Sequence, residues 1–391
     1  MPIKNITGQA VRGENFFKRP LLVHQLWRKV ESGSSILIAA PRRIGKTSLL
    51  YHIHDNPKKG YYLIYLITES VNSEKEYYKK ILNKILESSF LNTFRKFSKK
   101  ANQVLRDRIM RITEIGKTVK FDSESQIDYR EEFIHLIKSL DLKGERIIFM
   151  IDEFPQTLEN IIEDDDSRTA IHFLQGNREI RQDPEINNKL QFIYTGSIGL
   201  ENIVNRLNSI HLINDLDTLR VPPLTKAESH ELMQRILETM PFELSKTMRE
   251  FILDKIEWLT PFYIQLALQE ICHRHDEIEV RKVTKKMIDQ AFREMLELRG
   301  FFEHWHTRLR KAYKRDEYKF AKELLNYISN NEKTTSEEIR NLSQKFDLND
   351  FYKDIVNSLI YDGYINNEIE SHVYCFNSPL LKLWWRKNVA N

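Results

Sequence analysis

Short apolar runs alternate with longer amphipathic stretches between residues 36 and 221. This alternation predicts βα units around a parallel sheet, and nearly continuous apolar runs are typical of strands covered on both faces. The predicted strands are Ile36–Ala40, Tyr62–Ile67, Ile147–Ile151, Phe192–Thr195 and Thr218–Val221. The first half of the chain therefore favours an α/β domain.

The pattern changes after Val221, where Pro222-Pro223 marks a break. From Lys226 to about Arg299 the apolar positions recur at helical spacing. The C-terminal region is predicted to contain three helices and two strands. They are Tyr318–Ser329, Thr334–Leu342 with a Thr335/Ser336 cap, Tyr352–Tyr361, Tyr364–Glu368 and His372–Phe376, with a turn at Glu370-Ser371 between the strands. Three helices and a hairpin in this order resemble a winged helix.

Three domains follow from these changes of pattern. Residues 1–222 form the α/β domain with a helical, basic insertion at about 90–135, and residues 223–300 form a helical domain. Residues 301–391 contain a linker helix and the winged helix.

The strongest chemical signal is the segment Ala40-Pro41-Arg42-Arg43-Ile44-Gly45-Lys46-Thr47-Ser48, called here the phosphate loop (residues 40–48). It follows an apolar strand and opens a helix, which is the context that a phosphate-binding loop requires. Its N–H groups and the helix N-terminus would surround phosphates, Lys46 would reach the β and γ oxygens, and Thr47 would bind Mg²⁺. Ala40 replaces the first glycine of the motif, and an ordinary helix start is the alternative interpretation.

A second signal is the buried strand that ends in Asp152-Glu153. A carboxylate at the carboxyl end of such a strand can hold Mg²⁺ through water, and the next one can polarise the water that attacks the γ-phosphate. Asp152 is therefore the predicted metal ligand and Glu153 the predicted base. The alternative is a solvated acidic pair after a core strand.

A third signal is the end of the next apolar strand, Tyr194-Thr195-Gly196-Ser197. A hydroxyl here can donate to the γ-phosphate or to the attacking water, with Thr195 as the first candidate and Ser197 as the second. Because Ser and Thr are also common turn formers, a purely structural role stays open.

These three segments together resemble the archaeal-type ATPases, a family in the STAND branch of the AAA-like P-loop NTPases. The resemblance implies a five-stranded parallel sheet ordered 5-1-4-3-2, a helical lid and a C-terminal winged helix, with ATP and Mg²⁺ as cofactors. It also implies that Arg19, in Phe17-Lys18-Arg19, lies near the adenine.

Two departures from the family pattern limit this resemblance. At Leu259-Thr260-Pro261 a leucine replaces the family's glycine, so Pro261 either touches nucleotide or simply starts a helix that Thr260 caps. The stretch Ile213–Leu216 lacks the arginine that relatives often carry before the fifth strand. Activation of hydrolysis by a neighbouring copy is therefore in doubt.

Composition narrows the location. The longest apolar run, Tyr61–Ile67, is too short to span a bilayer, no signal peptide is evident, and two cysteines in 391 residues suit a reducing cytosol. The expected location is therefore the cytoplasm, without a membrane partner.

The distribution of charge along the chain indicates which class of partner the protein binds. The net charge is only +4, but residues 95–120 contain nine basic and two acidic side chains, and a further basic stretch begins at Arg308. Such segments can bind phosphate backbones, yet residues 331–391 contain seven basic and nine acidic side chains, which disfavours DNA reading by the winged helix. A protein partner or self-association through the lid and winged helix is favoured.

The favoured function is a slow Mg²⁺-dependent ATPase that binds ATP and ADP and acts as a regulatory switch. One alternative is a DNA-binding ATPase of the origin-recognition or transposition-regulator type. The other is a nucleotide-binding scaffold that does not hydrolyse ATP.

Overall fold

Five parallel strands form one sheet in the order β2-β3-β4-β1-β5. Their bounds are β1 Ile36–Ala39, β2 Tyr61–Ile67, β3 Arg146–Asp152, β4 Leu190–Thr195 and β5 Asp217–Arg220. The predicted order is confirmed, and the predicted strands agree with the observed ones to within one or two residues at each end. The three strands in the middle of the sheet, β3, β4 and β1, are buried along nearly their whole length, as their continuous apolar runs predict.

Helices accompany the strands in a βα pattern. Their bounds are α1 Pro20–Glu31, α2 Lys46–Asp55, α3 Glu74–Glu87, α4 Tyr129–Ser139, α5 Phe154–Asp164, α6 Ser167–Gln182 and α7 Leu200–Arg206. The carboxylates of Asp128 and Asp166 accept backbone N–H groups at the starts of α4 and α6, which fixes where these helices begin. A short 3₁₀ turn, Ile210–Ile213, precedes β5.

The region after Val221 is helical, as predicted. Its helices are α8 Lys226–Leu237, α9 Lys246–Ile256, α10 Pro261–Ile278, α11 Lys285–Met295 and α12 Arg299–Ala312. Side-chain caps at Thr225, Ser245 and Thr284 start α8, α9 and α11. The apolar faces of these helices meet in one core.

The described residues of the C-terminal region form four helices and a small antiparallel sheet ordered β6-β8-β7. The elements are α13 Arg315–Asn331, β6 Thr334–Thr335, α14 Ser336–Gln344, α15 Tyr352–Tyr361, β7 Ile365–Asn366, β8 Val373–Phe376 and α16 Pro379–Asn388. The helix predicted from Tyr318 begins three residues earlier, and the one predicted from Thr334 begins at Ser336 because Thr335 caps it in a capping box with Glu338. The helix Tyr352–Tyr361 lies where the sequence predicts it.

The structure, a computed structural model, describes residues 1–87, 127–197, 199–278, 282–313, 315–349, 351–367 and 372–390. The basic segment 95–120, most of the predicted insertion and the predicted turn at Glu370-Ser371 lie outside these residues. No helix in the described part of the chain is long and apolar enough to cross a membrane.

The chain divides into two compact units, each with its own core. The sheet unit comprises Arg19–Ala39 and Leu49–Arg220, and the helical unit comprises Met1–Lys18, Ala40–Ser48 and Val221–Asn391. The core of the sheet unit is rich in aromatic rings, among them Phe149, Phe192 and Tyr194. The core of the helical unit is built around Trp305, Trp384 and Trp385.

Candidate functional site

The phosphate loop connects β1 to α2, as the motif requires. Gly45 has a φ of +100°, a backbone conformation that favours glycine, and an added Cβ there would meet nothing within 4 Å. A phosphate group requires such space, together with the N–H groups that the first turn of a helix leaves without an intrahelical partner. The loop therefore has room for a phosphate group at the position where the motif retains a glycine.

Lys46 is held by the loop itself. Its ammonium group is buried and donates hydrogen bonds to the carbonyl oxygens of Ala40, at 2.8 Å, and Pro41, at 2.7 Å. Ser48, also buried, accepts a hydrogen bond from the backbone N–H of Val11 at 3.0 Å. Contacts within the helical unit thus fix both ends of the loop.

Asp152 lies at the carboxyl end of β3 and is 3% exposed. One carboxylate oxygen accepts a hydrogen bond from the hydroxyl of Tyr65, at 2.9 Å, and the other lies 3.2 Å from the N–H of Glu153. Burial and the nearby Asp152 carboxylate raise the pKa of Tyr65, so its hydroxyl stays protonated and donates. The carboxylate is therefore oriented by β2 and by its own strand end.

Glu153 has a strained backbone and an anchored side chain. Its φ of +61° lies in the left-handed region, which costs a non-glycine residue about 1–2 kcal/mol. Its Oε2 accepts hydrogen bonds from both the N–H and the hydroxyl of Ser197, each at 2.9 Å. Strain of this kind persists where the surroundings determine the conformation, and it often marks functional sites.

Gly196 makes the approach between these two segments sterically feasible. A Cβ at this position would lie 2.5 Å from Cδ of Pro155 and 3.5 Å from Oε2 of Glu153. Because the proline ring is part of the backbone of α5, it cannot swing away as a flexible side chain would. Glycine is therefore required for the turn after β4 to pass this close to Glu153.

Thr195 ends β4 and is completely buried. It lies one position beyond Tyr194, the partner of Ile151 in the β3–β4 register, and it pairs with Ile38 of β1. Its Oγ1 makes no hydrogen bond to any described residue. A buried hydroxyl without a partner costs free energy, so this atom is a candidate contact for a bound ligand.

The structure thus brings four predicted site residues together in the sheet unit. We call Asp152, Glu153, Thr195 and Ser197 the strand-end cluster. Its carboxylate and hydroxyl oxygens are of the type that Mg²⁺ and its water ligands prefer, and the buried Thr195 hydroxyl provides a donor for a phosphate or water. These features of the sheet unit fit the predicted Mg²⁺. Within the helical unit, the space beside Gly45 fits a phosphate group of the predicted ATP.

The remaining predicted residues fall elsewhere. The predicted loop residues and Pro261 belong to the helical unit, whereas Arg19 belongs to the sheet unit and immediately precedes α1. Thr260 accepts a hydrogen bond from the N–H of Tyr263, so Thr260 and Pro261 form an ordinary start of α10.

Two residues that stabilise this region were not singled out in the sequence analysis. Tyr65, which orients Asp152, sits in an apolar run where one more aromatic residue gives no distinct signal. Arg181 of α6 binds both carboxylate oxygens of Asp215, at 2.7 and 2.8 Å, just before β5. The stretch that lacks the expected arginine is therefore tied to α6 by an arginine 34 residues upstream.

Comparison with known proteins gives structural neighbours. No protein-family model matches the chain, and no match was found among curated proteins. The chain is similar to the solved structure of a Walker-type ATPase of Pyrococcus abyssi, with a TM-score of 0.67, 16% identity and coverage of 98% of this chain and 99% of that one. It is also similar to the ORC2 protein of Aeropyrum pernix, solved as ADPNP–ADP complexes, with a TM-score of 0.51, 12% identity and coverage of 93% and 91%.

At these identities the likeness establishes the fold. The sheet order, the helical region after β5 and the neighbours agree, so the chain has the α/β fold of the AAA-like P-loop NTPases, as predicted.

Proposed function

We propose that this protein is a Mg²⁺-dependent P-loop ATPase that hydrolyses ATP slowly and acts as a nucleotide-driven regulatory switch. The observation that carries the proposal is the buried, unpartnered Thr195 hydroxyl at the end of β4, one strand from the Asp152-Glu153 pair. It occurs in a sheet whose β1 leads directly into the phosphate loop. If Thr195 had only a structural role, its buried hydroxyl would be expected to form a hydrogen bond within the fold.

Phosphate binding is assigned to the loop. The N–H groups of Gly45 to Ser48 would donate to phosphate oxygens at the helix N-terminus, while the other loop residues, Ala40 to Ile44, supply the turn. Lys46 already donates to two carbonyl oxygens, and it would exchange one of these for a phosphate oxygen because hydrogen bonds between two charged groups are stronger. On the resemblance alone, Arg19 is assigned to the adenine and Pro261 to the contact of the lid with the nucleotide.

Metal binding is assigned to the Thr47 hydroxyl and to the Asp152 carboxylate, the latter through water. When bound, Mg²⁺ would neutralise charge on the phosphate oxygens. The contacts of Asp152 with Tyr65 and with the Glu153 N–H orient its carboxylate for this task.

Water activation is assigned to Glu153. Both Ser197 donors go to Oε2, so Oε1 is the oxygen that we assign to the attacking water. Thr195 would donate its hydrogen to the γ-phosphate or to the same water. Ser197 then acts as a positioning residue that holds the base.

The switch would pass from the ATPase domain, residues 1–222, to the helical lid, residues 223–300, and to the winged-helix region, residues 301–391. We assign the partner to a protein or to a second copy of the chain, in the cytoplasm. Nucleic acid is the less favoured partner, because residues 331–391 contain seven basic and nine acidic side chains and Arg308 of the second basic stretch is buried against Asp362.

The test compares ATP turnover and nucleotide affinity in wild type, Lys46→Ala and Glu153→Gln. Lys46→Ala should weaken ATP binding at least about tenfold, because a charged donor to the phosphates is lost. Glu153→Gln should retain ATP but lower turnover at least about 100-fold, because the amide cannot accept the proton.

Matched controls are Lys59→Ala and Glu163→Gln, which remove the same groups from exposed positions. Both should behave as wild type. Turnover that is unchanged in Lys46→Ala and Glu153→Gln would refute the site assignment. ATP binding with no turnover in wild type would instead support the non-hydrolysing scaffold.

A further inference from the structure

Arg43 of the phosphate loop is bound to two helices of the helical unit. Its guanidinium carbon lies 3.9 Å from the centre of the Phe262 ring in α10 and 5.4 Å from the centre of the Phe301 ring in α12. Nη1 donates a hydrogen bond to the carbonyl oxygen of Phe301 at 3.0 Å. Cation–π contact with two rings and a directed hydrogen bond use the planar guanidinium in a way that no other side chain can reproduce.

A third contact of Arg43 is with His304, one turn further along α12. Nη2 of Arg43 lies 3.5 Å from Nδ1 of His304. Burial, followed by the charges of Arg43, Arg42 and Arg308, lowers the pKa of His304 to about 2, so the ring is neutral. Since Arg43 can only donate, Nδ1 is the acceptor and the ring proton is on Nε2.

The backbone conformation of Arg43 is unfavourable for any residue that has a side chain. Its φ of +63° lies in the left-handed region, where glycine would be accommodated without the penalty of about 1–2 kcal/mol. Arginine is thus an unfavourable residue for this turn of the loop. The contacts with Phe262, Phe301 and His304 are what offsets the strain.

A second part of the loop is also in contact with the helical unit. Gly363, at the end of α15, has a φ of +85°, and a Cβ there would lie 2.8 Å from Cβ of Pro41 and 2.9 Å from the ring of Trp258. The loop therefore packs against the end of α15 as well as against α10 and α12. Its backbone cannot change near Pro41 and Arg43 without changing these contacts.

We propose that Arg43 is a positioning residue that links the conformation of the phosphate loop to the position of α12. The inference rests on the proposed function, since triphosphate is what would reorganise the loop. A loop that wraps phosphates needs a defined backbone at residue 43, and the guanidinium transmits any change there to the first turns of α12. By thermodynamic linkage, the factor by which nucleotide binding changes the equilibrium between positions of α12 equals the factor by which a shift of α12 changes nucleotide affinity.

The experiment measures amide hydrogen exchange of α12 and affinity for a non-hydrolysable ATP analogue with Mg²⁺. Arg43→Gly removes the side chain and suits the backbone, Arg43→Lys retains the charge but not the planar guanidinium, and Arg340→Ala removes an arginine from an exposed position in α14. Without analogue, exchange in residues 301–305 should be at least about tenfold faster in Arg43→Gly than in wild type, intermediate in Arg43→Lys and unchanged in Arg340→Ala.

With analogue, wild type should show altered exchange in α12, and Arg43→Gly should bind the analogue without that alteration. Equal exchange in wild type and Arg43→Gly without analogue, or an equal response to it, would overturn the inference. Failure of wild type to bind the analogue would overturn the proposed function instead, and the affinity measurement reports that failure separately.

Discussion

The strand-end cluster and the phosphate loop differ in what holds their polar side chains. Asp152 and Glu153 are held by Tyr65 of the adjacent strand and by Ser197 of the turn that follows β4. In the loop, Lys46 is held by loop carbonyls, and Arg43 is held by a helix that lies 258 residues further along the chain. The first region depends on the sheet and the second depends on the C-terminal helices.

This difference separates a fixed region from an adjustable one. A parallel sheet with buried central strands cannot shift its register without moving every side chain, so groups anchored to it are preorganised. The loop contacts are side-chain contacts with helices, which change by small movements. Substitutions in the strand-end cluster should therefore alter chemistry, whereas substitutions around the loop should alter coupling and stability.

The largest effect is expected for Gly196→Ala. The added methyl cannot fit beside the ring of Pro155, so Glu153 and Ser197 must move apart. Displacement of a catalytic group by about 1 Å costs about 100-fold in rate, and overpacking costs about 1–3 kcal/mol of stability. ATP turnover and urea unfolding would measure the two effects.

The control is Gly300→Ala, at a helical glycine whose added Cβ would meet nothing within 4 Å. It should be neutral or slightly stabilising, since alanine is the better helix former. If Gly196→Ala turned over ATP like wild type, the proposed geometry around Glu153 would be wrong.

The next effect is expected for Thr195→Val, which replaces a buried, unpartnered hydroxyl by a methyl of similar size. Stability should be unchanged or higher, because no hydrogen bond is lost. Turnover should fall at least about tenfold if this hydroxyl donates to phosphate or water. Lower activity with undiminished stability is the signature of a functional residue.

Thr157→Val is the matched control, because the Thr157 hydroxyl is equally buried but donates to the Thr68 carbonyl at 2.8 Å. It should lose about 1 kcal/mol of stability and retain the catalytic rate. The reverse result, a destabilised Thr195→Val with full activity, would assign Thr195 to the fold alone.

The same contrast explains which features of the fold and site could be predicted from the sequence. Whereas the sheet order was implied by the resemblance to the archaeal-type ATPases, the positions of the strands and the strand-end cluster follow from local signals, namely continuous apolar runs and polar residues at their ends. Tyr65 and Arg43 do not, because their partners are set by strand register and by helix packing far along the chain. A positive φ at Arg43 has no sequence signature, since the motif tolerates any residue there.

On the loop side, His304 predicts a pH dependence of stability. Its pKa of about 2 in the folded protein lies far below the ordinary 6.5, so the unfolded chain binds the proton first. This contribution to stability is complete above about pH 6.5 and is lost as the pH falls below it. The difference in unfolding free energy between wild type and His304→Asn should change by up to about 1.4 kcal/mol per pH unit. Parallel curves for the two proteins would show that His304 is not buried against Arg43.

The smallest effect is expected for Ser197→Ala, which removes one of the two donors to Glu153 and leaves the backbone N–H in place. A hydrogen bond to a carboxylate that only positions the base should be worth about a three- to tenfold change in turnover, with ATP affinity unchanged. Ser139→Ala, which removes a hydroxyl that donates to the carbonyl of Leu136, is the control and should turn over ATP normally. Faster turnover in Ser197→Ala would mean that Ser197 restrains Glu153 rather than aiming it, and the strand-end cluster would then be adjustable like the loop.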